Sequence, residues 1–221
     1  MPASAFSTHS SGCPMRTHVY IDGFNFYYGC VRGTAFKWLD LSRFCELMLP
    51  PNDVLAIKYF TARVEARGDD PGVANRQETY FRALRTLPRV EIILGRFLTN
   101  AVRLPRADGR GFVEVLRTEE KGSDVNLATH LLHDAHRGLI DCAVVVSNDS
   151  DLAEPVRMVR EDLGLIVGVI SPVLTKGRHP SRQLTRHATF KKRVRRGVLA
   201  EAQLPDPVEG EKGLIHKPRS W

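Results

Sequence analysis

The chain has 221 residues, 43% of them hydrophobic and 26% charged, a composition that excludes a wholly disordered or fibrous protein. Its longest apolar run, residues 163–170, is interrupted by glycine and far shorter than the roughly 20 residues of a membrane span. The net charge of +7 is unevenly spread: from Lys176 onward 12 Lys and Arg face 4 Asp and Glu, leaving residues 1–175 close to neutral.

Residues 1–15 are rich in Ser, Ala and Pro, without periodicity and without an apolar stretch behind a basic start, so a flexible leader rather than a secretory signal is expected. Residues 17–22 (THVYID) are β-branched and aromatic and predict a first strand. A helix follows over 41–49, stopped by Pro50-Pro51, then a strand over 54–61. Val73, Gln77, Tyr80, Leu84 and Leu87 recur at helical spacing and mark a helix ending near Pro88. A third strand is predicted over 90–96, a hairpin over 98–117 turning at Asp108-Gly109, and a helix over 123–136. The hairpin carries Arg103, Arg106, Arg110 and Arg117. Buried strands at 142–146 (CAVVV) and 166–170 flank a helix over 151–163. Continuous apolar strands separated by helices indicate an α/β fold with a mainly parallel sheet covered on both faces and an inserted β-hairpin. Residues 180–184 predict a last helix, whose Arg182 and Arg186 lead into the run Lys191, Lys192, Arg193, Arg195 and Arg196. Residues 191–221 read as a basic tail outside the domain, a contact for a polyanion such as nucleic acid.

In an open parallel sheet, ligands gather at the carboxyl ends of the strands. The first strand ends in Asp22, followed by Gly23-Phe24-Asn25, and the CAVVV strand ends in Ser147-Asn148-Asp149-Ser150-Asp151. If the two strands are neighbours, their spacing of about 4.8 Å brings Asp22 and Asp149 within reach of one cation. Asp124, behind a predicted N-cap at Ser123, shares a helix face with Leu127, Ala128, Leu131, Leu132 and Ala135, where an acid is costly unless compensated. Singly, each acid has an ordinary explanation as a turn or helix-start residue. Together, converging carboxylates cannot all stay ionised without a cation, and all-oxygen ligation points to Mg²⁺ or Mn²⁺. Cys13, Cys30, Cys45 and Cys142 form no CxxC pair, which argues against a thiolate zinc site and suits a reducing cytoplasm. P-loop and GxGxxG motifs are absent. His130, His133 and His136 fall opposite the apolar stripe of their helix and are expected to face solvent.

The three ordered motifs YIDGFNF (residues 20–26), KGSDV (121–125) and VSNDSDL (146–152) resemble the NYN domain, a branch of the PIN-like nuclease superfamily with LabA-like bacterial members. The resemblance spans about residues 16–190. It implies a PIN-like three-layer sandwich and an Mg²⁺- or Mn²⁺-dependent ribonuclease acting on single-stranded or structured RNA. On that resemblance Asp22, Asp124 and Asp149 match the metal-binding acids, Asp151 a further motif acid, and Asn25 the polar residue after the first acid. Lys121 would either contact phosphate or form a salt bridge with Glu119 or Glu120, and the basic residues from Arg182 to Arg196 would contact phosphate. Two positions depart from many LabA-like sequences, which carry Asp at His130 and Gly at Asn148. The alternative is an RNA-binding or regulatory module that keeps the pocket with little activity.

Overall fold

The computed structural model describes residues 15–66, 70–174 and 177–221. Apart from Met15, the expected leader lies outside the described residues. Strand β1 (Met15–Asp22) is the pivot of a six-stranded, all-parallel sheet. The others are β2 (Asn52–Thr61), β3 (Val90–Leu94), β6 (Cys142–Val146), β7 (Ile166–Ser171) and β8 (Phe190–Arg193), arranged in the order β3-β2-β1-β6-β7-β8. The chain builds outward from β1 to one edge, then restarts beside β1 at β6 and builds to the other. The junction β1/β6 is therefore the point where strand order reverses, and the two strands are hydrogen-bonded neighbours from Thr17↔Cys142 to Ile21↔Val146.

Side-chain alternation divides the core into two layers. Val19, Ile21, Cys142, Val144 and Val146 face a cluster built with Phe26, Phe44, Phe81 and Leu84. These come from α1 (Gly23–Phe26), α2 (Leu41–Met48) and α3 (Val73–Leu84). Tyr20, Ala143, Val145, Val167 and Val169 face Leu127, Leu131, Val156 and Leu184. These belong to α4 (Ser123–His136), α5 (Ala153–Arg157) and α6 (Arg182–Arg186). The result is the expected three-layer α/β sandwich.

Helix α4 also meets the sheet through a buried polar knot. Asp134 Oδ2 accepts from Tyr20 Oη at 2.8 Å and from Lys58 Nζ at 2.6 Å, and lies 3.0 Å from His18 Nδ1. The Lys58 and Asp134 side chains are only 11% and 3% exposed, so each compensates a charge that burial would otherwise make costly. His130 does not face solvent as its helical position led one to expect. Its Nδ1 is 3.4 Å from Lys58 Nζ and its ring stands edge-on to Phe60, because a buried ammonium and an aromatic ring occupy that side of the helix. His133 and His136 are exposed as expected.

The hairpin is longer than expected. Strand β4 (Arg96–Pro105) pairs antiparallel with β5 (Phe112–Lys121), apart from the main sheet, and β3 ends at Leu94 so that Arg96 already belongs to the arm. Its basic residues are largely engaged: Arg106 with Asp108, Arg117 with Glu119, and Arg103 over the Phe112 ring.

Residues 191–221 are not an outlying tail. They contribute β8, α7 (Arg196–Glu201) and a small hairpin of β9 (Val208–Gly210) and β10 (Gly213–Ile215). Val194, Leu199, Ala202, Leu204, Val208 and Ile215 are buried in the core of the α2–α3 layer. Trp221 packs against Trp38 and Tyr80, and Trp38 Nε1 donates to Pro205 O at 2.9 Å. The basic residues mask this in composition because the apolar positions lie between them. Replacing Leu199, fully buried, by Ala is expected to lower the unfolding free energy in urea titrations by about 2–5 kcal/mol. A segment outside the domain would give no change.

Candidate metal centre

Asp22 is the last residue of β1 and also caps the helix that follows: its Oδ1 accepts from Asn25 N at 2.9 Å. Gly23 is needed for this tight turn, since a Cβ there would stand 2.7 Å from Phe60 O of β2. The second Asp22 oxygen accepts from Ser147 Oγ at 2.8 Å, and Ser147 Oγ accepts from Asp149 N at 3.0 Å. One buried hydroxyl thus joins the ends of β1 and β6. Asp149 caps the short helical turn Ser150–Leu152, its Oδ1 accepting from Asp151 N at 3.0 Å. Asn25 Oδ1 accepts from Asn148 N at 3.1 Å, fastening the two loops together.

Asp124 arrives from the first turn of α4. The cap is Gly122 rather than Ser123: Asn126 N donates to Gly122 O at 2.8 Å. The Ser123 hydroxyl instead donates to Glu120 Oε2 at 2.6 Å, and its backbone N donates to Glu120 Oε1 at 3.1 Å. Asp22, Asp124 and Asp149 each offer a carboxylate oxygen within 4.8 Å of the others. Asp22 is buried, whereas Asp124 and Asp149 are partly exposed, so the cluster is open to solvent on one side.

Electrostatics mark the same place. Burial pushes the Asp22 carboxyl up, its hydrogen bonds from Asn25 and Ser147 oppose this, and Asp149 and Glu120 add repulsion. Asp124 is pushed up to about 6 by burial and then by Asp22, Asp149, Glu120 and Asp151. Five carboxylates therefore crowd one strand-end pocket. Three oxygens of a hard, anionic donor set within reach of one another suit an oxygen-seeking divalent ion, which would relieve that repulsion.

The remaining expected residues are distributed around this cluster. Asp151 is exposed at its rim. The Lys121 ammonium pairs with Glu119 at 2.8 Å. Arg182 and Arg186 are exposed on α6, which packs beside the Asp149–Leu152 turn. Lys191 and Arg195 are exposed. Lys192 donates to Met48 O at 2.5 Å, Arg193 donates to Val173 O at 3.3 Å, and Arg196 lies over the Phe36 ring. Lys192 and Arg196 thus have packing roles within the domain. Glu120 and Ser147 escaped sequence reading as site residues. Ser147 lies within the VSNDSDL motif, whereas only the long hairpin brings Glu120 to the start of α4.

The NYN domain model matches residues 16–190. The chain belongs to the NYN domain family. At 36% identity it resembles 6-hydroxy-3-succinoylpyridine 3-monooxygenase HspA of Pseudomonas putida (strain DSM 28022 / S16), a match covering 94% of this chain and 76% of that protein. The crystal structure of a protein of unknown function from Vibrio parahaemolyticus RIMD 2210633 shares the NYN-domain chain's fold, with a TM-score of 0.54 at 17% identity. That match covers 83% of this chain and 94% of the other. Family membership indicates a nuclease-type function. Among the described residues no helix is long and apolar enough to cross a membrane.

The raised Asp124 carboxyl sets a pH dependence of stability. Because the folded Asp124 binds its proton more tightly than the unfolded group, whose value is about 3.9, its contribution falls as pH rises from about 4 to about 6. At about pH 7.5 without metal, Asp124→Asn should raise Tm by about 2–4 °C, after allowing for solvent screening. Mn²⁺ should raise the wild-type Tm more near pH 7.5 than near pH 5, and should do little for the variant. Scanning fluorimetry checks both.

Proposed function

We propose that this protein is a divalent-cation-dependent ribonuclease that hydrolyses phosphodiester bonds of RNA in the cytoplasm. The observation that carries the reading is the meeting of Asp22, Asp124 and Asp149 oxygens at the switch point between β1 and β6. Those three residues would hold Mg²⁺ or Mn²⁺. When bound, the ion acidifies a coordinated water and offsets charge on the scissile phosphate. Ser147 and Asn25 keep the Asp22 carboxylate oriented, and Asn25 also holds the Asn148–Asp149 turn. Asp151, exposed at the rim, would orient the attacking water and take its proton. The water oxygen bonds to phosphorus as the ester P–O bond breaks, and the leaving oxygen is protonated from solvent. Glu120 keeps the pocket anionic. Exposed Arg182, Arg186, Lys191 and Arg195, with Arg193 at the strand end, supply phosphate contacts that position RNA without reading its sequence.

A second reading follows from the relative named a monooxygenase. A monooxygenase acting on a pyridine needs a reductant and dioxygen in addition to the aromatic acid. The donor set favours hydrolysis. The metal-competent group among the described residues is three carboxylates without imidazole, whereas mononuclear iron centres that activate oxygen commonly combine two His with one carboxylate.

Purified protein with labelled single-stranded RNA should cleave it in Mn²⁺ or Mg²⁺ and not in EDTA. Asp22→Asn and Asp149→Asn should lower the rate at least about 100-fold, and Ser147→Ala about 10- to 100-fold, since residues orienting metal ligands typically matter to that extent. Cleavage indifferent to EDTA and to these variants would overturn the assignment. Tight, salt-sensitive RNA binding without cleavage would identify a binding module instead.

A further inference from the structure

Beside the aspartates lies a cavity of about 250 Å³ whose walls include Phe24, Asn25, Tyr28, Asn148, Val173 and Arg178. It is continuous with the acid cluster in the chain itself. Asn25 N donates to the capping Asp22 carboxylate, Asn148 N donates to Asn25 Oδ1, and Asn148 precedes Asp149. The volume is slightly below the roughly 300–1,000 Å³ of pockets that enclose drug-sized ligands, so it suits one planar ring rather than a helix of nucleic acid.

The cavity is built by an irregularity. After α1 the backbone widens into one π-helical turn, Tyr27–Val31, a feature frequent at functional sites. Gly29 comes so close to the loop after β7 that a Cβ would stand 2.0 Å from Pro172 O. Within this turn Cys30 and Val31 enter the core, while Tyr28 is 51% exposed. The Arg32 guanidinium lies over the Tyr28 ring, 5.2 Å from its centroid. Arg178 is exposed on the opposite loop, and Arg193 reaches the same loop through Val173 O. An exposed aromatic, three arginines and a single-ring cavity next to a carboxylate cluster form a coherent set. A base stacks on a π-face without sequence preference, and the neighbouring phosphates meet arginine.

We propose that this cavity receives the base of an unpaired nucleotide adjoining the phosphate at the aspartates, with Tyr28 as its stacking surface and Arg178 as a phosphate contact. The inference rests on the ribonuclease reading and adds to it a preference for unpaired over duplex RNA at this position.

The test is a fluorescence-anisotropy titration of the full chain with a labelled oligouridine of about 12 nucleotides and with its duplex, in Ca²⁺. Cleavage in Mn²⁺ is followed in parallel. The single strand should bind more tightly than the duplex. Tyr28→Ala should weaken single-strand binding about 5- to 100-fold without changing the salt slope, and Tyr28→Trp should restore it. Arg178→Ala should reduce the slope of log affinity against log salt by about 0.7. Tyr28→Ala and Arg178→Ala proteins that bind as wild type does, while wild type cleaves RNA, would overturn the subsite and leave the ribonuclease standing. A wild-type protein that neither binds nor cleaves RNA would overturn both. Tyr28-dependent binding of a pyridine carboxylic acid in place of the oligonucleotide would assign the cavity to a small aromatic acid.

Discussion

Carboxylates repel one another, and everything around the pocket works to hold three of them together regardless. Asp22, Asp124 and Asp149 come from a strand end, the first turn of a helix and the loop after a second strand, and none is free to retreat. Asp22 is locked by Asn25 and Ser147, Asp149 by its own turn, and Asp124 by the first turn of α4. Apolar packing elsewhere supplies the free energy that opposes the repulsion. The strands that lead into Asp22 and Asp149 are buried on both faces, so neither end can shift without disturbing two layers of core.

The position of Asp124 depends on the far end of its helix. Leu127, Leu131 and Ala135 seat α4 on the sheet, and Asp134 ties it to Tyr20 and Lys58. A helix fixed at its last turns by a buried ion pair and at its first turn by Glu120 and Ser123 presents Asp124 at a set depth. The Lys58–Asp134 pair is thus a positioning device about ten residues from the chemistry, and His130 belongs to it rather than to the acid cluster.

Much of this was legible in the residues. Strand-end acids followed by turn residues pointed to Asp22 and Asp149, and the apolar stripe of α4 exposed Asp124 as misplaced unless compensated. What escaped reading depends on long-range packing. Glu120 is one acid among several in an exposed strand, and only the hairpin's return brings it to Ser123. The segment from Lys191 onward was masked by charge: in Lys191-Lys192-Arg193-Val194-Arg195-Arg196 the single Val194 and the later Leu199 and Leu204 carry the burial. Basic density reports what a surface offers to solvent, whereas spacing of apolar residues reports what the fold needs, and here the two overlap in one stretch. Part of the positive charge still reaches the carboxyl edge of the sheet, because β8 runs parallel to β7 and ends at Arg193, with β7 between it and β6.

The central claim is that these aspartates form one cation site. Anomalous diffraction at the manganese edge from crystals grown with Mn²⁺ tests it directly. The account predicts a peak bonded to carboxylate oxygens of Asp22, Asp124 and Asp149 that disappears in Asp22→Asn crystals. Peaks confined to other surface acids, with the three carboxylates unbridged, would contradict it.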